Sequence, residues 1–82
     1  MTIAFVLIQC GNMDVDEIIG ELKKVKSVTE IQGVFGIYDI MIKIQATDTK
    51  NIDDIIYTQI KRIKKLKSTL TLIVSSPYGD YL

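Results

Sequence analysis

The stretch Gly33-Val-Phe-Gly36-Ile-Tyr-Asp39, continuing directly into Ile40-Met-Ile-Lys-Ile-Gln-Ala46, constrains the fold more than any other part of the chain. Two glycines within four residues mark a tight strand-to-strand turn, because glycine takes a positive φ without steric cost. The strict alternation that follows predicts a strand over residues 38–46. Tyr38, Ile40, Ile42, Ile44 and Ala46 would share one face, and Asp39, Met41, Lys43 and Gln45 the other. A Tyr-Asp pair is thereby expected where a glycine loop meets a rigid sheet, a common construction for a small-molecule site.

The flanking patterns supply the remaining elements. Residues 3–9 predict a strand that is apolar on both faces, with Ala4, Val6 and Ile8 on one and Ile3, Phe5 and Leu7 on the other. Asp14 followed by Glu17 matches a capping-box start, and Val15, Ile18, Ile19 and Leu22 continue at helical spacing. Gly20 weakens that helix but leaves room for close packing. Residues 28–34, rich in β-branched side chains, predict the hairpin partner of residues 38–46. Thr47, Asp48 and Thr49 are candidate N-caps for a longer helix whose apolar stripe is Ile52, Ile55, Ile56, Ile60, Ile63 and Leu66. Residues 69–75 form the last expected strand, stopped by Pro77.

The order β-α-β-β-α-β predicts an α+β, ferredoxin-like sandwich: a four-stranded antiparallel sheet with two helices on one face. The other face would carry Ile3, Phe5, Leu7 and one side of the last strand, where Leu70, Leu72 and Val74 alternate with Thr69, Thr71 and Ile73. An exposed apolar patch of this kind marks an interface, and a two-fold dimer packed through the sheet face is the economical way to cover it.

Size leads to the same expectation. A chain of 82 residues is expected to be a single domain near the lower limit for a self-sufficient core. One cysteine forbids an intrachain disulfide, and the absence of histidine removes the usual zinc patterns, so association is the staple that remains. The N-terminal apolar run lacks a basic n-region, and no stretch approaches the ~18 apolar residues of a membrane span. A cytoplasmic protein is expected, and the free Cys10 agrees with a reducing compartment.

Enzyme-like constellations are scarce. Without histidine no Ser-His or Cys-His pair can be assembled. Cys10 reads as a small buried thiol, and Asp14, Asp16 and Glu17 as cap and dipole partners rather than metal ligands. No phosphate-loop motif occurs, and no cofactor is expected. Ten basic residues balance ten acidic ones, which argues against a nucleic-acid footprint. Lys61, Arg62, Lys64, Lys65 and Lys67 read as the solvated face of a helix end. Tyr57 is expected to border the apolar stripe of its helix.

Val28 and Ile31 leading into Gly33-Val-Phe-Gly36-Ile-Tyr-Asp39, the Thr47-Asp48 helix start, and Leu66-Lys-Ser-Thr69-Leu-Thr71-Leu-Ile-Val74 occur in an order and spacing that resembles one family. It is the effector-binding module of the Lrp/AsnC "feast/famine" transcription regulators, called RAM. The resemblance implies a ferredoxin-like homodimer assembling into tetramers, octamers or rings, with free amino acids bound between dimers. It carries the ligand contacts onto Gly33, Val34, Phe35, Gly36, Tyr38 and Asp39 of the hairpin loop, and onto Thr69 and Thr71. The family's helix-turn-helix domain has no counterpart in these residues. The expectation is therefore a stand-alone, non-catalytic sensor of amino acids that can modulate full-length Lrp/AsnC regulators without contacting DNA.

The chemistry is reasonable on its own terms. Turn N–H groups and threonine hydroxyls suit a carboxylate, while Asp39 suits an ammonium. The same residues also fit plainer roles, with Asp39 capping the turn and the threonines as ordinary β-formers. Two other functions remain open from sequence. One is a small dimeric α+β barrel enzyme, which requires a deep cavity between sheet and helices. The other is a ligand-free structural partner of longer regulators.

Overall fold

The computed structural model describes residues 1–11, 15–63 and 66–74. Four strands, β1 (Thr2–Gln9), β2 (Val28–Gly33), β3 (Ile40–Ala46) and β4 (Ser68–Ile73), form one antiparallel sheet in the order β2-β3-β1-β4. Helix α1 (Val15–Leu22) links β1 to β2, and helix α2 (Thr49–Ile55) follows β3. The expected four-stranded ferredoxin-like α+β fold is what the chain adopts.

Register explains the two faces. Ala4, Val6 and Ile8 lie opposite Ile44, Ile42 and Ile40, and all six are buried beneath the helices. Ile18 and Leu22 of α1, with Ile52 and Ile55 of α2, close this core. Among the described residues no polar or charged side chain is buried in it. The space between sheet and helices is therefore filled by branched aliphatic side chains, at the close packing usual for protein interiors.

Local chemistry sets the helix boundaries. Asp48 is the N-cap of α2: its backbone is extended (φ −155°), and its carboxylate accepts the Asn51 N–H at 2.8 Å. That satisfies one of the N–H groups orphaned at a helix start. The expected cap at Asp14 lies outside the described residues, as do Lys64, Lys65 and the segment from residue 75 onward. Gly20 is exposed, and nothing lies within 4 Å of where its Cβ would sit, so it serves no close packing.

The expected second helix departs from α geometry partway along. A π-helical turn, Ile56–Ile60, continues α2, and the Lys61 N–H donates to the Ile56 carbonyl at 2.8 Å. The Thr58 hydroxyl donates to the Asp54 carbonyl at 2.6 Å beside it. Ile56 and Ile60 remain buried, so the apolar stripe survives the change of pitch.

The hairpin also differs from expectation. β3 begins at Ile40 rather than Tyr38, because Gly36 takes φ 138° and the chain then turns back. The Val34 N–H donates to the Asp39 carbonyl (3.0 Å), and the Asp39 N–H donates to the Ile8 carbonyl (2.9 Å). Tyr38 and Asp39 thus belong to the loop and not to the strand alternation.

Candidate ligand site

Asp39 is held at the C-terminal end of β1. One of its carboxylate oxygens accepts the Cys10 N–H at 2.8 Å. That thiol is buried, and its pKa is pushed up first by burial and then by the neighbouring Asp39 charge. A raised pKa keeps Cys10 a neutral thiol, the opposite of what a nucleophile needs.

The remaining loop residues differ in exposure. Phe35 is fully exposed and Ile37 is 77% exposed, while Val34 and Tyr38 are half-buried. Gly33 pairs with Ile40 at the end of β2, and its φ is not in the left-handed region. Of the two glycines read as turn formers, only Gly36 needs glycine's conformational freedom.

Thr69 and Thr71 sit on the other side of β1, opposite Ile8 and Val6 and hence on the helix-bearing face. Thr69 and Ile40 flank the same residue, Ile8, so the hairpin and the start of β4 share one end of the sheet. The separation across β1 is two strand spacings, roughly 10 Å.

Helix α2 packs over β3 and β1, and on the helix side of the outer strand β4 Thr69 and Thr71 are half-buried. A groove of about 350 Å³ opens there, lined by Asp53, Asp54, Ile56, Tyr57, Lys61 and Thr71. Asp54 and Tyr57 are three residues apart, a spacing that sets side chains on one helical stripe, and the π turn Ile56–Ile60 leads from there to Lys61. Of the eight residues expected at a site, only Thr71 lines this groove. Sequence reasoning missed Asp53, Asp54, Tyr57 and Lys61 as lining residues. Their spacing was the available signal, but it matches any solvated helix face.

The groove offers both signs of charge, a phenol and a hydroxyl at the rim of a packed domain. Among the described residues no group of three or more His, Cys, Asp or Glu is placed to hold a metal ion. Nor is any helix among them long and apolar enough to cross a membrane.

Such an arrangement of sheet and helices defines a ferredoxin-like α+β module. Residues 3–81 match the sequence model of the "Lrp/AsnC ligand binding domain", and the chain belongs to that family. The structure of FFRP-DM1 is similar at a TM-score of 0.85 and 27% identity, covering 92% of this chain and all of that one. AsnC of E. coli superimposes with a TM-score of 0.84 at 27% identity, over 89% of this chain and 50% of the regulator. A homocitrate synthase from Saccharolobus solfataricus is 32% identical over 72 residues, or 87% of this chain. The chain spans only 15% of the length of that synthase. The family and its structural neighbours are regulatory modules, and the likeness to the synthase covers a small part of an enzyme.

Proposed function

We propose that this chain is an amino-acid-responsive regulatory module that works as an assembly of copies. The observation that carries the reading is the match of the Lrp/AsnC ligand-binding domain across residues 3–81. A zwitterion needs donors for its carboxylate and acceptors for its ammonium. The exposed loop and the groove together present both.

The arrangement of the candidate residues supports an assembled site. Gly33, Val34, Phe35, Gly36, Tyr38 and Asp39 lie on the β2–β3 side of the sheet, whereas the groove holding Thr71 opens beyond α2 at β4. One small ligand cannot span ten or more ångströms of packed sheet within one chain. Loop residues of one copy and groove residues of another can close on it. The effector would then act by linkage, favouring the assembly in which both halves meet.

The sheet face supports dimerisation. Leu7 lies opposite both Met41 and Leu70, and Phe5 opposite Leu72, all on the face away from the helices. Leu70, Leu72 and Val74 are 43%, 51% and 46% exposed. A second copy packed on this face would bury them together. Higher assemblies of such dimers, and mixed assemblies with full-length Lrp/AsnC regulators in the cytoplasm, follow from the same reading.

The synthase match favours a second reading for the output. The chain is similar to part of AsnC and to part of a homocitrate synthase, so in this reading an enzyme is also a fitting partner for the module. Native mass spectrometry against each free amino acid tests the core claim. A step in whole dimers on adding one or a few amino acids is expected. Even-numbered assemblies indifferent to every amino acid would refute sensing and leave the structural-partner reading.

A further inference from the structure

The formal charges lining the α2–β4 groove do not cancel. Asp53 and Asp54 bring two negative charges against the single positive charge of Lys61. None of these three side chains takes part in an ion pair among the described residues, where Lys24 and Glu21 form the pair observed. Among the described residues, the side chains lining the groove therefore carry a net negative formal charge.

We infer that the groove selects amino acids with a cationic side chain, the lysine, arginine and ornithine class. The inference rests on the amino-acid-sensing reading above and names the ligand class for it. A volume of about 350 Å³ equals roughly a dozen waters at ~30 Å³ each, enough for one free amino acid with part of its hydration. In this site Lys61 and the Thr71 hydroxyl take the α-carboxylate. One carboxylate of the Asp53-Asp54 pair takes the α-ammonium. The second then faces the ligand side chain, where a neutral residue would leave it unpaired and a positive one would pair with it. The ring of Tyr57, 76% exposed at the groove, adds a π-face suited to an ammonium or guanidinium.

Backbone geometry supports the grouping. The π-helical turn over Ile56–Ile60 adds a residue to the turn just before Lys61, rotating that side chain relative to a continuous α-helix. Lys61 lines the same groove as Asp53 and Asp54. Charged groups at an accessible rim discriminate by complementarity more than by raw affinity.

The test is calorimetric titration of the full chain with L-lysine, L-arginine and L-norleucine, the last being the uncharged analogue of lysine. Lysine or arginine is expected to bind about fivefold more tightly than norleucine, the scale of one partly screened charge pair. That margin should shrink on raising the salt concentration. The Asp53→Asn, Asp54→Asn double variant should bind all three ligands more weakly and lose the preference among them. Equal affinities in the wild-type chain, or a preference that survives in the double variant, would overturn the inference and leave amino-acid sensing intact. No binding by any amino acid would overturn both.

Discussion

The carboxylate of Asp39 accepts the backbone N–H of Cys10 at 2.8 Å, joining positions 29 apart in sequence. With the Asp39 N–H donating to Ile8 and its carbonyl accepting from Val34, this residue ties the β2–β3 loop to the end of β1. It holds the loop that carries most of the candidate site.

Replacing Asp39 with alanine leaves the part-buried Cys10 N–H without its acceptor. A loss of about 1–2 kcal/mol is expected, read as a lower urea midpoint. Asp39→Asn keeps an acceptor oxygen and should recover most of that loss. If the sensing reading is right, Asp39→Asn should still assemble less in response to ligand, because the loop loses the charge it would bring to the site from a neighbouring copy. An alanine variant with the wild-type midpoint would refute the splice role.

Asp48→Ala removes the side-chain acceptor of Asn51 N–H at the start of α2. A cost of about 1 kcal/mol is expected, with Asp48→Ser or Asp48→Asn close to wild type. Thermal or urea unfolding checks this. Equal loss for all three would show that the cap is not the cause.

Gly36 and Gly33 should respond oppositely to alanine. Gly36 has φ 138°, which an L side chain rarely adopts, so Gly36→Ala should destabilise by roughly 1 kcal/mol or more. Gly33 has ordinary φ and open space at its Cβ position. There alanine should be neutral or stabilise by about 0.4–1 kcal/mol. Comparing the two midpoints in one denaturation series decides it.

Leu72→Asp places a charge in the middle of the exposed sheet face, beside Phe5. Because Leu72 is 51% exposed in the single chain, the isolated fold should change by only about 0.5 kcal/mol. The proposed dimer should nevertheless be lost, leaving monomers in sedimentation or light scattering. An unchanged mass would place the dimer interface elsewhere.

Cys10 gives a pH signature. Its folded pKa lies above the ordinary 9.0 because burial, and then Asp39, disfavour the thiolate. The unfolded chain therefore releases this proton first, and the unfolded state gains stability once it does. Cys10's contribution is fully present below pH 9 and is lost as pH rises through the folded pKa. Cys10→Ala should flatten the fall in stability above pH 9, and an unchanged slope would assign it to other groups.

Where the sequence was read correctly, the signals were local and periodic. Alternation in residues 40–46 and the stripe Ile52, Ile55, Ile56 and Ile60 each name an element and its buried side, since burial follows the 2.0 and 3.6 periods. Asp48 was among three candidate caps because its chemistry acts over three residues. Tyr38 and Asp39 were misplaced into the strand because a turn's end depends on one φ at Gly36 and on hydrogen bonds to β1.

The sequence by itself determined the order of strands and helices, the branched aliphatic core and the apolar second face of the sheet. Those follow from side-chain periodicity along short segments. Only the tertiary structure decided that Asp39 would bond to Cys10 and that Thr69 and Thr71 would face the helices. It also decided that Asp53, Asp54, Tyr57 and Lys61 would share a groove with Thr71. Each of these depends on strand order, on register across β1 and on the α2–π turn lying over β3 and β1. Such relationships join residues far apart in the chain, and no local pattern encodes them.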